Sequence, residues 1–393
     1  MATLPFRAFD ADNHYYEATD AFIRHIAPEY AKRGMQWATI DGKTRLLVDG
    51  RINRFIPNPT FDPVSKPGVL DAYFRGKSPA EDIRAAFGEL EPVRAEYRDR
   101  DARLRVLDEQ GLEGALLFPT LGVGMEEAVR HDPALAQAVF EAFNRWLEDD
   151  WGYDYEGRLF AAPMICLLDP ELAAREVDRV LAHGARVVCM RSGPVNHPSG
   201  ARTHGHRAHD PVWARLNEAG VVVAFHSGES GYGFLPEAWG RGGEFEAFRY
   251  DAFRMVLVGH RPIHDTIAGL VCDGVFTRFP RVRVATIESG SDWVALLARS
   301  LAKAYKQRPG AFSDVDPVEQ LRRHVWVSPY YEDDIRGAAD LLGVDHVLFG
   351  SDYPHAEGLA EPVSFVEDLA GFSDDEVRRI MRENALALVR EPA

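Results

Sequence analysis

Short apolar runs, each bounded by turn residues, alternate along this chain with stretches in which apolar positions recur every three or four residues. The runs are Ala8–His14, Ala115–Thr120, Leu159–Leu167, Arg186–Arg191, Val221–His226, Val282–Glu288, Val325–Ser328 and Val347–Asp352. Most are near-continuous in apolar residues rather than apolar at every second position, the mark of parallel strands buried on both faces. Helical periodicity fills the gaps at Arg94–Gln110, Pro133–Asp150, Glu171–Ala182, Pro211–Ala219, Ile263–Phe279, Trp293–Tyr305, Asp333–Leu342 and Asp374–Val389. Eight strand–helix units predict an α/β fold of the (β/α)8 TIM-barrel kind. Gly111, Gly184 and Gly220 stand at helix stop positions, and Ser373 with Glu376 reads as a capping box.

One segment breaks the alternation. Asp41-Gly42-Lys43 and Asp49-Gly50 punctuate β-prone residues, and Asn58–Pro79 is rich in Pro and Gly. A hairpin followed by an irregular excursion is therefore expected at about 35–79, inserted after the first strand as a lid, a dimer arm or a packing elaboration. Residues 1–393 are expected to form a single barrel domain carrying this insertion.

Composition narrows the partners. There are 61 acidic against 45 basic residues, a net charge of −16, with no Lys/Arg block, which argues against a nucleic-acid or anionic-membrane partner and leaves a small-molecule substrate. Cys166, Cys189 and Cys272 form no CxxC pair, so neither a disulfide framework nor a thiolate metal site is expected. Arg7, Asp10, Asp12 and His14 stand where a secretory signal needs an apolar core, and no run approaches the ~18–20 apolar residues of a membrane span. A cytoplasmic protein is the expectation.

In a barrel, chemistry gathers at the C-terminal ends of the strands. There the sequence places Asp12 and His14 on the first run, Arg191 on the fourth, His226 on the fifth, Glu288 on the sixth and Asp352 on the eighth. Asp12 and His14, two apart on a strand, project to one face. Imidazole and carboxylate are ligands that Zn²⁺, Mn²⁺ or Fe²⁺ accept at about 2.0–2.2 Å, and His226 and Asp352 can supply the third and fourth. Each residue alone reads as a core histidine or a helix cap; four on one rim predict a divalent metal site, Zn²⁺ first, Mn²⁺ or Fe²⁺ next.

Asp10–Glu17 (DADNHYYE), Arg103–Thr120 (RLRVLDEQGLEGALLFPT), Phe279–Val294 (FPRVRVATIESGSDWV) and Gly350–Gly358 (GSDYPHAEG) resemble the amidohydrolase-related family. This branch of the amidohydrolase superfamily includes the aminocarboxymuconate-semialdehyde and γ-resorcylate decarboxylases. The resemblance runs in order over nearly the whole chain. It implies a metal-dependent TIM barrel, a homodimer or higher homo-oligomer, in which Asp12, His14, His226 and Asp352 hold the ion and Asp352 serves as base or proton relay. Asp12 stands where many relatives carry His or Glu, and Glu288 where the family's decarboxylases carry an acid/base His.

The second departure makes hydrolysis the expected reaction. Metal-activated water would attack the carbonyl of a small, carboxylate-bearing substrate while Asp352 and Glu288 move protons. Arg191 reads as a clamp for that carboxylate or as a structural ion pair, Tyr330, Tyr331 and Trp239 as an aromatic wall, and His355 as a group ordering the loop after strand eight. Non-oxidative decarboxylation of an aromatic or unsaturated acid is one alternative. Another is a dinuclear Fe/Mn oxygenase acting on a small carboxylic acid, with Glu17, His264 and Glu288 as candidate ligands of its second ion; His260 and His264, four apart, share a helix face. His204, His206 and His209 read as a solvated lid. Gly228-Glu229-Ser230-Gly231-Tyr232 lacks the last glycine of a nucleophile elbow, and Gly122-Val123-Gly124 is followed by acidic residues where a dinucleotide's phosphate would sit.

Overall fold

The computed structural model describes residues 4–243, 246–248 and 251–390. Its strands are β1 (Ala8–Tyr15), β2 (Met35–Ile40), β3 (Lys43–Val48), β4 (Arg51–Ile52), β5 (Leu112–Pro119), β6 (Leu159–Ala161), β7 (Val187–Arg191), β8 (Val222–His226), β9 (Arg283–Ile287) and β10 (Val325–Val327). β1, β5 and β6 pair in parallel in that order, and β7 to β10 pair in parallel in sequence order. Every residue of β1, β7 and β8 is buried; near-continuous apolarity accounts for β7 and β8, while β1 also buries Asp10, Asp12, Asn13 and His14.

Two irregular stretches join these arcs into a closed barrel. After β6 the chain continues so that Cys189 N–H donates to Pro163 O at 2.8 Å and Ile165 N–H to Cys189 O at 2.9 Å. Between β10 and β1, Leu348 N–H donates to Val327 O, Ala11 N–H to Phe349 O (both 2.8 Å) and His14 N–H to Tyr353 O (2.7 Å). The expected third and eighth strands are thus present as bonded backbone but shorter as regular strand. Pro163 lacks an N–H for the ladder, and Asp352 takes a left-handed φ of 56° that breaks the pleat.

Helices follow the barrel strands on the outside: α1 (Arg100–Glu109), α2 (Pro133–Asp150), α3 (Pro170–Ala182), α4 (Asp210–Ala219), α5 (Arg261–Cys272), α6 (Asp292–Gln307) and α7 (Ile335–Leu342). α1, α2 and α3 open on Asp99, Asp132 and Asp169, each accepting backbone N–H bonds as N-cap. The expected Arg94–Gln110 helix divides at Asp99, and Ile263–Phe279 breaks at Gly274 (φ 70°). The last helix opens on the Ser373–Glu376 capping box and passes through a π turn at Arg379–Glu383. No helix among the described residues is long and apolar enough to cross a membrane.

The insertion after β1 begins as an antiparallel hairpin, β2 with β3, turned by Asp41 (φ 52°) and Gly42 (φ 70°), with β4 added through Asp49 and Gly50. Two consecutive positive φ values give the turn whose twist suits a hairpin. Residues 55–90 then wrap across the C-terminal mouth of the barrel, lining the cavity that His14 and His226 face from below.

Candidate metal centre

β1 carries a bulge: Asp10 pairs with Ala115 and Asn13 with Leu117, three steps against two. Asp12 and His14 follow from it into the mouth and meet His226 at the end of β8; none is more than 3% exposed. His14 Nε2 lies 3.2 Å from Asp12 Oδ1, 3.1 Å from His226 Nε2 and 3.3 Å from Asp352 Oδ1, and His226 Nε2 lies 3.4 Å from Asp12 Oδ1. Asp352 reaches this point because its N–H donates to Asp12 O at 2.8 Å and because residue 350 is glycine. A Cβ there would sit 2.5 Å from that of Asp12.

The residues fit a divalent ion. Donors held at about 2.0–2.2 Å from one ion stand roughly 3–3.6 Å from each other, the spacing seen among Asp12 Oδ1, His14 Nε2 and His226 Nε2, with Asp352 Oδ1 at that distance from His14. His226 Nδ1 lies 2.8 Å from Ser227 O, and a carbonyl only accepts, so Nδ1 carries the proton and Nε2 turns its lone pair to the cluster. Two imidazole nitrogens facing each other at 3.1 Å are natural neighbours around a cation.

More carboxyls surround this point. Glu288, at the end of β9 with a left-handed φ of 47°, places Oε2 3.6 Å from His226 Nε2. Asp352, Glu288 and Glu357 each bring one oxygen within 4.8 Å of the others. Burial holds the Glu288 carboxyl well above the usual carboxylate range, helped by Asp352; burial raises Asp352 and Glu357 likewise. For Asp12, burial is outweighed by the hydrogen bonds to His14 and His226, which hold it ionised. Asp12, Glu288 and Asp352 each pair with histidines of the cluster or with His355. A dication supplies the counter-charge such a set needs.

His355 is fixed beside the cluster. Its Nδ1 lies 2.5 Å from Asp352 Oδ1, its Nε2 2.9 Å from Thr120 Oγ1, and its ring stands 4.0 Å from that of His14. Tyr330 donates its hydroxyl to Glu288 O at 2.6 Å. Above lies a cavity of about 790 Å³, walled by Phe55, Ile56, Phe61, Phe87 and Leu90 of the excursion and by Phe248.

Several expected residues lie elsewhere. Arg191 is buried in ion pairs with Glu126 (3.0 Å) and Glu127 (3.1 Å) and donates its third nitrogen to Pro194 O (2.6 Å), the structural ion pair of the two roles expected for it. Arg191→Met should cost about 3–5 kcal/mol in denaturant unfolding, because Glu126 is left buried and unpaired. Glu17 accepts from Leu121 N–H and Gly122 N–H (both 2.9 Å), tying the end of β1 to the turn after β5, and not to the metal cluster. His264 pairs with Asp265 at 2.7 Å on α5. The trio Glu17, His264 and Glu288 is therefore not assembled as a second metal site. Trp239 is 68% exposed, Tyr331 carries Arg75 on its ring, and His204 and His209 are buried by packing and backbone bonds rather than forming a solvated lid.

Burial pushes the Glu17 carboxyl up to about 7, against the pull of the two amides. The folded state then holds this proton more tightly than the unfolded chain, so its contribution to stability falls as pH rises from about 4.5 to about 7. Unfolding midpoints of the wild type relative to Glu17→Gln should decline across that window and level off above it.

Glu357 and Thr120 escaped sequence reasoning. Glu357 lay within the Gly350–Gly358 motif, two residues beyond His355, and its carboxyl was the available signal. Thr120 ends the second apolar run, where a hydroxyl is weak evidence of anything.

A closed parallel barrel with imidazoles and carboxylates gathered at its C-terminal mouth defines a metal-dependent TIM-barrel enzyme. The chain belongs to the amidohydrolase family, whose model matches residues 17–390. A crystal structure of an amidohydrolase from Mycobacterium avium subsp. paratuberculosis K-10 is 48% identical, with 98% of this chain and 100% of that one covered and a TM-score of 0.93. A dihydroxybenzoic acid decarboxylase from Polaromonas sp. JS666, solved with manganese and 2-nitroresorcinol, shares the fold at 16% identity and TM-score 0.63 over 98% and 97% of the two chains. A 2-amino-3-carboxymuconate-6-semialdehyde decarboxylase from Dictyostelium discoideum is 26% identical over 125 residues, 30% of this chain; the match spans about a third (34%) of that relative's length.

Proposed function

We propose that the protein is a metal-dependent hydrolase cleaving an ester, amide or lactone whose acyl body is largely apolar. The observation that supports this is the convergence of Asp12, His14 and His226 at 3.1–3.4 Å on the floor of the cavity, with Asp352 3.3 Å from His14 and Glu288 and Glu357 beside it as further carboxyls. A divalent ion held there supplies Lewis acidity and lowers the pKa of a nearby water. Zn²⁺ suits two imidazoles with two carboxylates, and Mn²⁺ and Fe²⁺ accept the same donors. His355, fixed between Asp352 and Thr120, orients the Asp352 carboxylate that takes a proton from the attacking water. Glu288, biased by burial toward its protonated form, hands a proton to the departing oxygen or nitrogen. The mostly apolar wrap of residues 55–90 lines the cavity and gives the acyl body of the substrate an apolar wall. With Arg191 occupied, no carboxylate clamp belongs to this reading.

Decarboxylation is a second reading, favoured by the same bias of Glu288 toward protonation, since a carboxylic acid can protonate a ring carbon as CO₂ leaves. A panel of aryl-alkyl esters and amides, followed by acid release, set against 2,6-dihydroxybenzoate and 5-carboxyvanillate, followed by CO₂ release, separates the two. Acid release without CO₂ supports hydrolysis; CO₂ release alone overturns it.

A further inference from the structure

Glu288 takes a backbone conformation that residues with a side chain rarely adopt, φ 47°, and among the described residues its carboxyl makes one ion pair, with His226 at 3.6 Å, and no hydrogen bond. The aim of that carboxyl therefore comes from the main chain. Four side chains from three other segments hold the turn that carries it. Tyr330 donates its hydroxyl to Glu288 O at 2.6 Å, and Trp293 Nε1 donates to Gly290 O at 2.9 Å. His260 Nδ1 lies 3.1 Å from Ser289 O, and since a carbonyl only accepts, Nδ1 is the donor. Asp333 Oδ2 accepts from Ser291 N–H at 2.5 Å, from Ser291 Oγ at 3.0 Å and from Tyr330 N–H at 3.0 Å. One carboxylate thus joins the far end of the turn to the residue that bonds its first carbonyl. Gly290 (φ 60°) lets the two loops close on each other, because a Cβ there would lie 2.8 Å from Tyr330 Cδ2.

We propose that Tyr330 is the positioning residue for Glu288: its hydroxyl, with Asp333 fixing its own N–H, holds the turn in the conformation that brings the Glu288 carboxyl to the reacting bond. The inference rests on the proton-donating role that the hydrolytic reading gives Glu288. The hydroxyl proton of Tyr330 is committed to Glu288 O, so Tyr330 acts through Glu288 and not on the substrate. A small displacement of a proton donor costs much of its rate, and the cost depends on the leaving group. A basic alkoxide must take the Glu288 proton as the C–O bond breaks, giving an alcohol. A 4-nitrophenolate departs without it.

Metal-loaded Tyr330→Phe, which removes one oxygen and keeps the ring, tests this with two esters of 3-phenylpropanoic acid. For the phenethyl ester kcat should fall at least about tenfold with KM within about twofold, while hydrolysis of the 4-nitrophenyl ester stays within about twofold of the wild type. Equal slowing of both esters, the mark of a merely structural role, overturns the proposal, as does slowing of neither. A crystal structure of the same metal-loaded variant supplies a readout apart from activity: Glu288 Oε2 should leave its place beside His226, and a Glu288 that keeps that place overturns the proposal. If the wild type cleaves neither ester, the hydrolytic reading fails, and the position of Glu288 in the variant alone decides the role of Tyr330.

Discussion

Replacing Asp352 with Asn should lower kcat by about 10³-fold or more while leaving the fold intact. General-base groups contribute about 10²–10⁴-fold, and Asp352 also stands 3.3 Å from His14 in the ligand set. The substitution preserves shape, and asparagine tolerates the left-handed φ of 56°. The His355 contact survives as a neutral hydrogen bond. Steady-state rates at saturating metal, with circular dichroism and thermal midpoints as controls, check the expectation. A variant with wild-type kcat would remove Asp352 from the reaction.

Stripping the protein with a chelator should abolish activity and lower the thermal midpoint, and Zn²⁺ or Mn²⁺ should restore both. A ligand present at a thousandfold excess over its Kd stabilises the native state by about 4 kcal/mol, a shift easily read by scanning calorimetry. Elemental analysis should return one ion per chain, since Asp12, His14 and His226 form one cluster that Asp352 joins through His14, while Glu17 and His264 stand apart. Undiminished turnover in metal-free protein would end the proposal. Acid should weaken the metal, because both imidazoles must be neutral to bind it.

The barrel was legible because parallel strands buried on both faces are near-continuous in apolar residues, so each run announced itself and its terminal polar residue. That rule brought Asp12, His14, His226, Glu288 and Asp352 together from four distant places. The same rule left Arg191 open between a substrate clamp and a structural ion pair, because a strand-end cation can answer a substrate or its own neighbours, and Glu126 and Glu127, its partners, lie on a short helix whose approach no local pattern encodes. Glu17 failed for a related reason, since its partners are backbone amides of a turn and carry no residue-type signal. The excursion was visible as an interruption, but its path across the mouth depends on contacts far apart in sequence, such as Phe55 against Gly124.

Because the chemical groups stand on the barrel while most of the apolar wall belongs to residues 55–90, the two can be altered independently. Grafting that wrap between relatives, or randomising it alone, offers a route to new specificities on an unchanged reaction, a modular separation well suited to directed evolution.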